Sequence, residues 1–264
     1  MDLNLAGRKY LVTAASKGLG FSVARELLRE GAQVLFSSSN SEHLEHASDR
    51  LHEEGLSGFT TFTADLAKRS EVERLVEETL TCFEGKADGF VTNCGGPPAG
   101  LPLKITDEQW QTAFDSVFLS VVRLCRGLIP SMIQNGGGAI VAITSTSVKQ
   151  PIPNLTTSNS LRPAVAGYLK YLSNEVAPRN VRINLVAPGR FLTERTKELD
   201  AAAAANSGQT LDEVRAAYME EIPMDRIADV SEFPALCAFL LSPRASYITG
   251  QTICNDGGRV AAIW

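Results

Sequence analysis

The segment TAASKGLG, Thr13 to Gly20, contains the residue types that cradle a phosphate. Gly18 and Gly20 let backbone approach a ligand closely. The helix expected to open near Phe21 presents free N–H groups and positive potential at its start, which suits a pyrophosphate. In dinucleotide folds an acid about 20 residues further on binds the adenosine ribose diol. Here that place falls within SSSN, Ser37 to Asn40, and it carries no carboxylate. An acid would repel a 2′-phosphate, whereas Ser38, Ser39 and Asn40 can donate hydrogen bonds to one. Lys17 adds a positive charge nearby, although taken singly a lysine in such a loop reads better as a solvated surface residue. Together the two features favour NADP(H) over NAD(H).

These residues need a scaffold of strands feeding helices, and the chain alternates in that way. Short apolar runs such as RKYLVTAA, AQVLFSSS, ADGFVTNCGG, GGAIVAITST and NVRINLVAPG read as strands. Between them lie segments with apolar residues at helical spacing, such as FSVARELLREG and SEHLEHASDRLHEEG, each closing on a glycine. Long helical stretches are expected near 107–134 and 155–177. About seven strands alternating with six or more helices call for an α/β fold: a doubly wound parallel sheet with helices on both faces. No linker divides the 264 residues, so residues 1–264 read as a single domain. The segment Thr193–Pro223 is polar, Ala-rich and helix-prone, broken by NSG. It reads either as a solvated helical hairpin or as a flap over a pocket.

Net charge is −5, which argues against a broad nucleic-acid surface. The five cysteines are scattered and form no CxxC pair, so neither a bound metal nor a disulfide framework is expected. The N-terminus lacks a basic region followed by an apolar run, and the uninterrupted apolar runs look too short to span a bilayer. A cytoplasmic protein without membrane association is the expectation.

With these motifs in order, the chain resembles the short-chain dehydrogenase/reductases over nearly its whole length, in particular members similar to 3-oxoacyl-acyl-carrier-protein reductase. The family's Thr-Gly-x-x-x-Gly-x-Gly motif corresponds to TAASKGLG, with Ala14 in place of the first glycine. TADL carries Asp65 and Leu66 at the adenine-contacting position. TNCG keeps Asn93 and Gly95 of Asn-Asn-Ala-Gly. Pro188 and Gly189 match the Pro-Gly motif, and Thr193 matches the threonine that contacts the nicotinamide carboxamide. The resemblance implies a Rossmann-type sheet of strand order 3-2-1-4-5-6-7. It also implies a dinucleotide site that includes Thr13, Ser16 and Lys17, and a homodimer or homotetramer built through the helices near 107–134 and 155–177.

The family reduces carbonyls with an Asn-Ser-Tyr-Lys tetrad. Its serine corresponds to Ser145. Its tyrosine and lysine fall on Ser158 and Arg162, and its asparagine falls on Val117. Tyr168 and Tyr171 are followed four residues later by Leu172 and Glu175, so neither restores the motif. Arg162 keeps a positive charge that can bind the nicotinamide ribose, but it is no acid–base group. Ser158 keeps a hydroxyl of much lower acidity than a phenol. Losing a matched general acid costs ~10²–10⁴-fold in rate. Two functions follow. One is an NADP(H)-dependent oxidoreductase acting on a small carbonyl or hydroxyl substrate, 3-oxoacyl-like, in which Ser145, Ser158 or water relays the proton. The other is a dinucleotide-binding regulatory or scaffold protein without turnover.

Overall fold

The computed structural model describes residues 2–263. Its strands are β1 (Lys9–Val12), β2 (Gln33–Ser38), β3 (Phe59–Thr63), β4 (Gly89–Thr92), β5 (Gly138–Ile143), β6 (Val181–Pro188) and β7 (Thr252–Asn255). They form one parallel sheet in the order β3-β2-β1-β4-β5-β6-β7, as the resemblance implies. The helices are α1 (Gly18–Arg29), α2 (Ser41–Glu53), α3 (Arg69–Cys82), α4 (Asp107–Ala113), α5 (Ser120–Gln134), α6 (Thr156–Val176), α7 (Glu194–Ser207), α8 (Leu211–Glu220) and α9 (Pro234–Leu241). β7 is shorter than the apolar pattern around it suggests. Gly250 (φ 68°) turns the chain before it, and Gly257 (φ 66°) turns it after.

Alternate side chains of the central strands serve opposite faces, as a pleated sheet requires. Tyr10, Val12, Val91 and Val141 pack with Leu27, Phe233 and Leu241 on the α1, α2 and α9 side. Leu11, Phe90 and Ile140 pack with Leu75, Leu124 and Leu169 on the α3, α5 and α6 side. Each fully buried side chain of this size stabilises the fold by about 1.5–3 kcal/mol. The strand order reverses between β1 and β4, so the loops leaving their carboxyl ends diverge and open a crevice.

α4 and α5 join through a π-helical turn, Phe114–Leu119, into one run from Asp107 to Gln134. That run is long and apolar enough to cross a membrane by length and composition, contrary to the shorter runs seen in the sequence. The helix continues through its polar residues because they bond back to their own helix. Ser116 Oγ donates to the Thr112 carbonyl (2.8 Å) and Ser120 Oγ to that of Ser116 (2.6 Å). One side of it is core, with Leu124, Cys125, Leu128 and Met132 buried.

Segment 193–223 forms the hairpin α7–α8, turned by Gly208 at φ 71°. Its anchor is polar. Asp200 is 1% exposed and contacts the guanidiniums of Arg190 and Arg215, while Arg190 lies 3.4 Å over the Tyr218 ring.

Candidate active site

The crevice between β1 and β4 holds a cleft of about 810 Å³. Its base is tied by Thr13 and Asn93. Thr13 Oγ1 donates to the Asn93 carbonyl (2.7 Å) and accepts from the Asn93 N–H (2.9 Å), while Asn93 Nδ2 donates to the Ala14 carbonyl (3.0 Å). Ala14, in the first-glycine position, sits at φ 47°, a region that non-glycine residues rarely occupy. Gly18 turns the chain at φ 61°. Lys17 precedes α1 without a side-chain cap, so the first-turn N–H groups remain available to a ligand.

Gly20 is required for packing. A Cβ there would lie 2.6 Å from the Ala14 carbonyl oxygen and 2.8 Å from Asn93 Nδ2. Overpacking of this kind costs about 1–3 kcal/mol. Gly20→Ala should therefore lower the melting temperature and weaken dinucleotide binding by roughly 10-fold, read by thermal melts and fluorescence titration.

Ser16, Lys17 and Gly18 form one wall of the cleft, and Ser38, Ser39 and Asn40 form its far end. Ser16 Oγ donates to Ser38 Oγ (3.0 Å), and Asn40 Oδ1 caps α2 by accepting the His43 N–H (2.9 Å). His43 consequently joins this end. Asp65 and Leu66 line the adjoining side. Asp65 Oδ1 accepts from Ala67 N–H (3.0 Å), and its own N–H donates to Glu71 (2.7 Å). That bond, together with Lys68, holds the Glu71 carboxyl below its ordinary range. Asn93, Gly95, Pro188 and Thr193 complete the predicted lining. Thr193 caps α7 and comes across to Gly18, where a Cβ would be 3.7 Å from its methyl. Thr13, Gly20 and Gly189 lie beneath this wall as support, Gly189 against Asp256.

The catalytic positions separate. Arg162, on α6, lines the cleft at 8% exposure. One of its terminal nitrogens donates to the Ile143 carbonyl (3.1 Å) and the other approaches Cys94 Sγ (4.0 Å). No carboxylate pairs with it among the described residues. Ser145 leaves β5 and accepts the Ser147 N–H (3.1 Å), capping a turn. Ser158 is buried, its Oγ 3.2 Å from Ser147 Oγ. Neither Ser145 nor Ser158 belongs to the cleft wall. Val117 adds no polar atom to the small apolar space it shares with Thr92, Val121 and Arg162. Tyr168 faces Phe118 (ring centroids 5.9 Å) and Cys125 rather than the cleft. Burial, reinforced by Cys125, pushes its phenol up to about 12. Neither Tyr168 nor Tyr171 of α6 lines the cleft.

Several lining residues carried no signal as cleft residues in the sequence: His43, Cys94, the Gly96-Pro97-Pro98 loop and Arg195. His43 follows from the Asn40 cap. Arg195 follows only from where α7 begins. As a whole the cleft offers a pyrophosphate-binding helix start, a hydroxyl- and amide-rich end, and a buried cation over the remaining space.

A family model described as Enoyl-(Acyl carrier protein) reductase matches residues 13–259. The chain is 32% identical over 256 residues to dehydrogenase/reductase SDR family member 4 of Homo sapiens, covering 96% of this chain and 88% of that one. It is 30% identical to the 3-oxoacyl-acyl-carrier-protein reductase of Chlamydia muridarum, covering 98% and 99%. Among solved structures, L-sorbose reductase from Gluconobacter frateurii, complexed with NADPH and L-sorbose, superimposes with a TM-score of 0.93 at 29% identity, covering 100% of both chains. Actinorhodin polyketide ketoreductase with NADPH gives 0.91 at 27%, covering 97% and 98%.

Proposed function

The chain belongs to the short-chain dehydrogenase/reductase family, and from that premise we propose that this oxidoreductase reduces a small carbonyl substrate, 3-oxoacyl-like, with NADPH. The observation that carries the proposal is Arg162, a buried cation on the cleft wall at the position of the family's lysine. The residues present fit the cofactor. The start of α1 and Gly18 suit its pyrophosphate, and Ser38, Ser39, Asn40 and His43 suit a 2′-phosphate. When bound, NADPH supplies the hydride. Arg162 donates hydrogen bonds to the carbonyl oxygen and stabilises the charge that develops there. It releases no proton. The proton comes from water in the cleft, with Ser145 and Ser158, which lie off its wall, as the hydroxyls behind it.

The preference for NADP(H) is supported by the absence of a carboxylate at the end of β2 and by the NADPH held in both neighbouring structures named above. Fluorescence titration should show NADPH binding roughly 10-fold or more tighter than NADH. Ser39→Asp, at an exposed position, should reverse that order by placing a carboxylate against the 2′-phosphate. Equal affinities in the parent protein would overturn the preference. Single-turnover mixing with 3-oxoacyl thioesters and simple ketones should oxidise NADPH slowly. No oxidation with any carbonyl compound would overturn the reductase reading. A homodimer or homotetramer through the helical stretches near 107–134 and 155–177 fits the exposed Phe114 and Tyr171 within them, and sedimentation would test it.

A further inference from the structure

Beyond the residues suited to a dinucleotide, the cleft carries two guanidiniums. Arg162 is nearly buried, and among the described residues its charge meets only a backbone carbonyl and a thiol. A cation taken from water without an anion is costly, and negative charge entering the cleft would offset that cost. Arg195, in the first turn of α7, leans across the opening onto Gly96, where a Cβ would lie 3.2 Å from its Nε. Gly96 thus leaves room for Arg195 in the cleft wall. The partner of Arg195 is Glu198 at 3.6 Å, an exposed pair of the kind that contributes little. The other acid on this wall, Glu194, is held by Lys197 at 2.7 Å. Cys94, which Arg162 approaches, and Gly96, which Arg195 covers, are two residues apart, and the segment from Cys94 to Pro98 brings no charge.

A phosphate of the cofactor has partners of its own in Gly18 and the free N–H groups at the start of α1, which Thr193, two residues before Arg195, meets. We propose, resting on the reductase reading, that Arg162 and Arg195 select an oxo acid: a carbonyl substrate with a free carboxylate. Its carbonyl oxygen is directed to Arg162 and its carboxylate to Arg195. A guanidinium fork matches a carboxylate in two parallel hydrogen bonds, and substrate charge together with the developing oxyanion supplies the anion that Arg162 lacks.

The test compares 2-oxopentanoate and 4-oxopentanoate with their methyl esters, using the full chain saturated with NADPH. The acids should be favoured in kcat/KM by roughly 10-fold or more. Arg195→Gln should raise KM for the acids by a similar factor and change the ester rates and the NADPH dissociation constant by much less. Arg195→Lys should recover part of the loss. Esters or thioesters preferred over acids would overturn the proposal and leave the reductase reading intact. So would an Arg195→Gln defect confined to NADPH binding. If no compound oxidises NADPH, calorimetric titration of the acids into the NADP-loaded protein decides. Arg195-dependent binding keeps the anion site and removes the reductase reading, whereas no binding overturns both.

Discussion

Replacing Arg162 with methionine is expected to lower kcat by ~10²–10³-fold, the loss typical of removing one donor aimed at a developing oxyanion. Methionine keeps an unbranched stem in the same packing and deletes only the charged fork. NADPH affinity should fall less, because Gly18, Ser38, Asp65 and Thr193 lie elsewhere along the cleft. The Ile143 carbonyl loses its donor, which costs about 1–3 kcal/mol of stability, and thermal melts measure that part separately. Arg162→Lys restores charge without the fork. It also introduces a group able to lose its proton, so its kcat should decline at alkaline pH where the parent's does not. Full activity in the methionine variant would remove Arg162 from the chemistry. A methionine variant whose stability falls while its kcat holds would assign it a structural role alone.

The doubly wound parallel sheet was legible because its strands are short apolar runs separated by segments of helical spacing, whereas the strand order came from the family resemblance. The phosphate-binding end was legible for a related reason. Gly18 stands where the chain turns at positive φ and Gly20 where no Cβ fits, and both places leave few options besides glycine. The reacting end was not legible to the same degree. Position 158 kept a hydroxyl, but which way that hydroxyl points depends on how α6 packs against the turn after β5. It points to Ser147, a residue with no signal of its own. Arg195 was hidden in a segment whose composition says only that it is helical. Its importance comes from Gly96, which lies far away in the chain and next to it in space. Composition likewise described the hairpin 193–223 as polar without showing that a single buried carboxylate anchors it.

Replacing Asp200 with alanine is expected to loosen that hairpin. Asp200 contacts Arg190 and Arg215 from a position 1% exposed, and Arg190 is confined between it and the Tyr218 ring. Burial already draws Arg190 below the ordinary guanidinium range, so removing its anion leaves a poorly solvated cation. Breaking a buried pair from one side costs about 3–5 kcal/mol. The hairpin has little else to oppose that loss, since Asp200 is the buried residue of α7 and Val214 that of α8. The hairpin should therefore release locally while the sheet stays folded. Amide exchange in α7 and α8 should quicken by roughly 100-fold or more, with the amides of β1, β4 and β5 little changed. Because Thr193 at the start of α7 meets Gly18, NADPH binding should weaken, and because Arg195 follows in the same turn, reduction of oxo acids should weaken as well. Asp200→Asn, which keeps the shape and drops the charge, should fall between the two. Unchanged exchange in α7 and α8 of the alanine variant would show that the hairpin is held by something other than this carboxylate.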